Sequence, residues 1–257
     1  MRTLLAIGIG TGNPRHMTLE AIDALNGADM VLIPRKGPQK DDLAEVRRLI
    51  CRQCLTNPAT RLVEFDLPVR DAATPDYGAG VDAWHDAIAA TYRDLIRAES
   101  GPDARIALLV WGDPALYDST LRIIARLQAM EELAGALACN VIPGITSIQA
   151  LAASHCIPLN TIGGAIHITT GRRLRAEGFP AGADTAIIML DGTCAFQILP
   201  PDAYAIWWGA YLGTELELRV AGPLAEVGHR ILTLRAEARA RHGWIMDTYL
   251  LRPLENS

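Results

Sequence analysis

The stretch LLAIGIGTGNPRHMTLEAIDALNGADMVLIP, Leu4 to Pro34, reads as an apolar run, a glycine-rich turn, a helix and a second apolar run. Thr18 is a suitable N-cap for the helix, and Glu20 puts an anion in its first turn, where the helix dipole favours one. The pattern is a β-α-β unit with glycines at its first turn, an arrangement that often holds a nucleotide. The dinucleotide fingerprint, however, fails on inspection. G-x-G-x-x-G beginning at Gly8 requires glycine at position 13, where the chain has Asn13 followed by Pro14. The acidic residue wanted at the end of the second strand is also missing, since that strand runs out into Pro34-Arg35-Lys36. No Lys-Ser/Thr follows the glycines, so the loop is no Walker phosphate cradle. It is a tight turn that lets something approach the backbone.

Outward from this unit the alternation continues. Strands are expected at Leu4–Ile9, Met30–Ile33, Leu62–Phe65, Arg105–Val110 and Val141–Ile142, with helices at Thr18–Leu25, Asp41–Leu55, Val81–Ala98 and Tyr117–Met130. A second set follows Pro143-Gly144: a helix at Ser147–Ala153, strands at Ala165–Thr170, Ala186–Leu190, Tyr204–Trp208 and Leu216–Val220, a helix at Leu224–Ala240 and a last strand at Thr248–Leu251. Such alternation implies α/β architecture with a largely parallel sheet, here as two units, 1–142 and 143–257. The segment from Arg70 to Gly80, rich in Pro, Gly, Asp and Ala, reads as a loop.

The 257 residues suffice for one large or two smaller cores, and the balance of 50% hydrophobic to 21% charged residues is that of a globular protein. A formal net charge of -5 argues against a nucleic-acid binder that relies on bulk charge. No apolar run is long enough to span a bilayer, and Gly8 to Asn13 interrupts the first apolar run too early for a signal peptide, so a cytoplasmic location is expected. The five cysteines imply no disulfide framework. Cys51 and Cys54 form a C-x-x-C late in a helical pattern with no second ligand pair nearby, so chance placement on a helix outweighs a metal or redox site.

In open α/β sheets, ligands gather beyond the carboxyl ends of the strands. Those ends here are Gly10-Thr11-Gly12, Pro34-Arg35-Lys36, Gly112-Asp113-Pro114 and Pro143-Gly144-Ile145-Thr146-Ser147. In VWGDPALYDST, Gly112 admits close backbone approach, Asp113 offers an acceptor and Pro114 suits a helix entrance. The acidic Asp113 and Asp118 fit a neutral or cationic ligand better than a triphosphate.

GIGTGNPRHMTLEAI, GDPALYDST and VIPGITSIQALAA together resemble the tetrapyrrole methylase family, the S-adenosylmethionine enzymes of corrin and sirohaem synthesis. IPRKG, LVEFDLPVRDA, MLDG, WWGAYLG and HGWIMDTYLLR extend the resemblance nearly end to end, towards the precorrin C-methyltransferases of cobalamin biosynthesis. The resemblance implies two αβα domains of the class III methyltransferase type, with the active site in the interdomain cleft, and a homodimer. It implies methylation of carbon 1 of precorrin-5 with loss of an acetyl group as acetate, and no metal, nucleic-acid or membrane partner. Carried over residue by residue, S-adenosylmethionine contacts would be Gly112, Asp113, Pro114, Tyr117, Thr146 and Ser147, with later ones near Leu190, Ala210, Tyr211 and Gly222. The first glycine loop, Gly10, Thr11 and Gly12, would line the tetrapyrrole side. Thr11 and Asn13 stand where the family has Pro and Asp.

Methyl transfer from a sulfonium needs in-line approach and little acid-base help, which suits a site of backbone and small residues. Acetyl loss resembles water attack on an acyl carbon and would profit from a base and an oxyanion donor. Asp113, Asp191, His16 and His155 lie in or beside the motif loops, and the ranking puts Asp113 first and His16 second, with His155 read as a buried structural residue. Substrate carboxylates call for cations, for which Arg35 and Lys36 at a strand end are the leading candidates, ahead of Arg172, Arg173 and Arg175. The rival readings are another precorrin C-methyltransferase, a diphthamide- or rRNA-directed methylase, and a non-catalytic corrinoid-binding protein. An oxidoreductase ranks last, since the fingerprint fails.

Overall fold

The computed structural model describes residues 1–35, 42–70 and 77–254. Lys36 and most of the expected Arg70–Gly80 loop lie outside the described residues. The chain divides into two compact units, Met1–Thr146 and Ser147–Ser257.

The first unit is built on five parallel strands, β1 (Arg2–Gly8), β2 (Met30–Arg35), β3 (Arg61–Asp66), β4 (Arg105–Val110) and β5 (Leu137–Ile142), in the order β3-β2-β4-β1-β5. The helices between them are α1 (Leu19–Asn26), α2 (Asp42–Cys54), α3 (Tyr77–Glu99) and α4 (Thr120–Ala129). The central strands read as unbroken apolar runs because both faces of the sheet are covered. Leu4, Ala6, Met30, Leu32, Ile106 and Leu108 pack with Ile88, Ile96 and Leu127 of α3 and α4. Their neighbours Leu5, Ile7, Val31, Ile33 and Leu109 pack with Ala21, Leu25 and Ile50 of α1 and α2. Thr18 caps α1 as its sequence suggests, its Oγ1 accepting from the Ala21 N–H at 3.1 Å.

The second unit contains α5 (Ser147–His155), β6 (Ile166–Thr170), α6 (Gly171–Glu177), β7 (Thr185–Met189), β8 (Tyr204–Ala210), β9 (Leu218–Pro223), α7 (Leu224–His242) and β10 (Asp247–Pro253). Its sheet order is β6-β7-β10-β8-β9. Only β6 and β7 pair in parallel, while β7–β10, β10–β8 and β8–β9 are antiparallel. The expectation of a largely parallel sheet therefore holds for the first unit and fails for the second. A parallel pair needs a crossover, usually helical, and none separates β8 from β9. Trp208, Tyr249 and Phe196 are fully buried and anchor this core with Ile231 of α7.

Cys51 and Cys54 are buried on α2, and desolvation raises both thiols, Cys51 to about 11, so they rest as protonated apolar packing groups. No helix among the described residues is long and apolar enough to cross a membrane.

Candidate active site

In the first unit three glycine loops leave three adjacent strands, β4, β1 and β5, on the carboxyl edge of the sheet. Contact is so close that side chains are excluded. A Cβ on Gly8 would lie 2.6 Å from the Gly144 nitrogen and 2.8 Å from the Gly112 oxygen, and one on Gly144 would collide with that same oxygen. Gly10 and Gly112 form a two-residue antiparallel bridge, with Gly112 N donating to Gly10 O at 2.8 Å. Gly112 differs from the other two. At φ +68 it is left-handed, and a Cβ there would meet only the Thr146 Cα, at 3.8 Å. One side of its backbone faces open space.

Asp113 ties this cluster together. Its Oδ2 accepts the Gly144 N–H at 2.9 Å and its Oδ1 the Ala115 N–H at 2.7 Å. A general base at this position would have to surrender one of those bonds. Pro114 is buried, and Tyr117, two-fifths exposed, takes φ +49. Thr146 and Ser147 are half-buried at the end of the β5 loop and the start of α5.

In the first loop Gly10 and Gly12 both have positive φ, Thr11 is buried, and Thr11 Oγ1 lies 3.4 Å from His16 Nδ1. His16 covers Gly10, where a Cβ would meet the His16 Cβ at 2.8 Å. Asn13, in place of the family's acidic residue, accepts from Arg15 N at 2.9 Å and caps a short 3-10 turn.

Arg35 ends β2, but it already holds a carboxylate. Register puts it opposite Asp66, whose Oδ1 is 3.1 Å from Arg35 Nε and whose Oδ2 accepts from Nη2 at 3.2 Å. Any further anion at this point would compete with Asp66.

In the second unit β7 ends in a strained corner. Leu190 has φ +53 and is nearly two-thirds exposed, whereas the next residue, Asp191, is buried. Asp191 accepts from the Ala195 and Thr193 N–H groups at 2.5 and 3.0 Å and from the Tyr249 hydroxyl at 2.6 Å. This carboxylate braces the corner and is not placed as a base. A Cβ on Gly171 would also collide with it, which is why α6 begins with glycine. The Asp191 carbonyl accepts from Arg235 Nη2 at 2.9 Å, and Arg235 pairs with Asp247 at 2.8 Å.

Ala210 and Tyr211 are buried, Tyr211 with φ +50. The Tyr211 hydroxyl donates to the Trp244 carbonyl at 2.5 Å and its ring packs edge-on to Trp244, so these two residues can present only backbone to a ligand. Gly222 has φ +149. His155 is structural, as its sequence setting suggests: Nε2 donates to the Trp208 carbonyl at 3.0 Å, and burial lowers its pKa. Arg173 pairs with Glu177 and Arg175 with Thr193 on α6.

Sequence reasoning missed two features in the first unit. His85 of α3 lies 2.9 Å through Nε2 from Ser119 Oγ, and Arg47 of α2 donates through Nε to the Leu109 carbonyl at 2.9 Å. Only the apolar-to-polar break at each position was available as a signal.

Known proteins resemble this chain over nearly its whole length. Residues 3–228 match the family model of tetrapyrrole (corrin/porphyrin) methylases. The chain is 54% identical over 252 residues to a Sinorhizobium protein named precorrin-6A synthase [deacetylating], covering 98% of this chain and 95% of that one. It resembles the crystal structure of a cobalamin synthesis related protein (CobF) from Corynebacterium diphtheriae, with a TM-score of 0.84 and 41% identity over 99% of this chain and 100% of that one. Uroporphyrin-III C-methyl transferase from Thermus thermophilus, solved in complex with S-adenyl homocysteine, shares the fold at a TM-score of 0.58 and 18% identity, over 97% and 92% of the chains. With glycine loops of this geometry and a family match over most of its length, the chain belongs to the tetrapyrrole methylases.

Proposed function

We propose that the protein transfers a methyl group from S-adenosylmethionine to carbon 1 of precorrin-5 and releases the acetyl group as acetate, giving precorrin-6A in cobalamin biosynthesis. The observation that carries the reading is where the backbone is strained. Tyr117, Leu190 and Tyr211 are three of the five non-glycine residues with positive φ among the described residues, and all three are positions to which the resemblance assigns cofactor contacts. Such conformations cost about 1–3 kcal/mol each and persist where the surroundings enforce them, commonly at ligand sites. The extended match to the deacetylating relative supports the choice of substrate.

On this reading S-adenosylmethionine is held by Gly112, Pro114, Tyr117, Thr146 and Ser147 of the segment around the two loops, and by Leu190 with the backbone of Ala210, Tyr211 and Gly222. Asp113 positions the loops that receive it. Gly10, Thr11 and Gly12 face the tetrapyrrole, and His16 is the group beside that loop able to accept a proton. Arg35 and Lys36 meet substrate carboxylates. Methyl transfer then rests on placing the ring carbon in line with the sulfonium methyl, an effect that contributes up to about 7–11 kcal/mol in ideal cases.

The test is mass spectrometry of the product from precorrin-5, S-adenosylmethionine and the purified protein. One methyl gained with one acetyl lost supports the reading. Methyl gain with the acetyl retained would make the protein a different precorrin C-methyltransferase, and binding without turnover a corrinoid-binding protein.

A further inference from the structure

Between α2, α3 and the start of α4, at the carboxyl ends of β2 and β3, lies a cavity of about 120 Å³. Its wall includes Arg47, Leu67, Trp84, Tyr92, Asp118 and Ser119. That volume excludes a macrocycle and admits a two-carbon acyl group. Only Asp118 separates Ser119 from Tyr117, so the cavity wall and a proposed cofactor contact belong to one loop.

Ser119 occupies the N-cap position of α4 yet makes no capping hydrogen bond. Asp118 does that work instead, its Oδ1 accepting from the Thr120 N–H at 2.6 Å. The Ser119 hydroxyl is turned to the His85 imidazole, 2.9 Å from Nε2. His85 is buried, and its Nδ1 has no hydrogen-bond partner among the described residues. A serine whose hydroxyl lies within hydrogen-bond reach of a buried imidazole, at the wall of a cavity, is the geometry of an activated nucleophile. Arg47 brings a cation to the same wall, and the Tyr92 hydroxyl, pushed up to about 12 by desolvation, stays a proton donor there. Both suit a developing oxyanion.

We propose that Ser119, with His85 as its general base, removes the acetyl group of the substrate by covalent transfer inside this cavity. The inference rests on the deacetylating reading above. Ser119 Oγ adds to the acyl carbon while its proton passes to His85 Nε2. The bond from the acyl carbon to the ring carbon breaks, and its electron pair stays on the ring carbon, delocalised over the conjugated macrocycle. That carbon takes the sulfonium methyl, and the carbon–sulfur pair remains on sulfur as S-adenosylhomocysteine. Water then attacks the acetyl-serine, one of its protons returning to Ser119 Oγ and the other leaving, and acetate departs. The sum consumes one water and releases two protons, one from each acyl-transfer step. Acyl loss therefore creates the nucleophile that methylation needs.

His85 must be neutral to serve, and burial lowers its pKa from the ordinary 6.5. The charged groups around it are Asp82 and Asp86 on α3 and Arg122 and Arg126 on α4, with both aspartates engaged by Arg126 at 2.7 Å. Among the described residues no carboxylate orients the ring, so the pair acts as a dyad.

The experiment measures acetate release and S-adenosylmethionine affinity for the full chain with Ser119→Ala, Ser119→Cys and His85→Gln. Ser119→Ala should slow acetate release about 10²–10⁴-fold and leave cofactor affinity within twofold. Because Ser119 caps nothing through its side chain, the variant should fold normally, which a thermal melt checks. Ser119→Cys, quenched with S-adenosylhomocysteine in place of the methyl donor, should carry one acetyl group on the peptide containing position 119. His85→Gln keeps a hydrogen bond to Ser119 but should lose both rate and the rise of acetate release with pH. Acetate release at the wild-type rate from folded Ser119→Ala would overturn the proposal alone. A wild-type protein that releases no acetate from precorrin-5 would overturn the functional reading with it.

Discussion

Gly112→Ala separates what the glycine cluster does for folding from what it does for binding. At φ +68 an L-residue pays the left-handed penalty, about 1–2 kcal/mol. There is no packing cost to add, since the new Cβ would meet only the Thr146 Cα at 3.8 Å. A loss of that size lowers the melting temperature by about 2–4 °C per kcal/mol for a chain of this length. The methyl group, however, projects into the open space where the cofactor is proposed to touch backbone. Displacing a ligand contact there by one carbon should weaken S-adenosylmethionine by at least about tenfold, or about 1.4 kcal/mol. Gly144→Ala is the contrasting control, because its Cβ would collide with the Gly112 oxygen and press on Gly8, backbone on every side. Overpacking without a side chain to yield costs about 1–3 kcal/mol or more, and it would fall on folding before binding is reached. Thermal melts and titration calorimetry on both variants read the two effects apart. A folded Gly112→Ala protein that binds S-adenosylmethionine with wild-type affinity would refute the placement of the cofactor against this loop.

Asp113→Asn retains an acceptor for one of the two loop N–H groups and should therefore weaken cofactor binding and slow methyl and acetyl transfer together, followed by product mass. Loss of acetate release at wild-type cofactor affinity would instead make Asp113 the deacetylation base. Arg35→Ala should raise the KM for precorrin-5 by about two- to tenfold with cofactor affinity unchanged, the effect being limited because Asp66 already competes for the guanidinium. Stability should move by less than about 1 kcal/mol, as the pair is exposed. Asp247→Ala strands the part-buried Arg235 cation and the Trp208 indole N–H that Asp247 accepts at 2.9 Å. A loss of about 3–5 kcal/mol in denaturant unfolding is expected, and one below about 1 kcal/mol would show that this network does not hold the Asp191 corner.

The strands were legible because of their burial. LLAI, MVLI and IALLV are unbroken apolar runs since the helices cover both faces of their sheet, and a Gly or Pro follows each within two residues. The direction of strands in the second unit was not legible, because apolar runs carry no sign of which neighbour they pair with. Helix α6 was overlooked for a local reason: Gly171 is a poor first residue for a helix and is there only because Asp191 fills the space of a side chain. The pairing of Arg35 with Asp66 depends on the register of β2 against β3, and the contact of His85 with Ser119 joins residues 34 apart. Neither leaves a mark in the local pattern. Glycines did, because a missing side chain and a strained backbone are properties of one position.

The carboxylates show where the charge beside these loops is spent. Asp113 and Asp191 stand in or beside motif loops as acid-base candidates, and they and Asp247 each accept two or more hydrogen bonds from the protein itself. Asp113 and Asp191 brace turns whose backbone is left-handed at Gly112 and Leu190. A site that works by backbone position spends its charges in this way. The consequence is a division that can be measured. Loss of a brace should move stability and cofactor affinity while leaving the pH profile of the reaction in its wild-type place, whereas loss of the His85 imidazole should move the pH profile while cofactor affinity stays put.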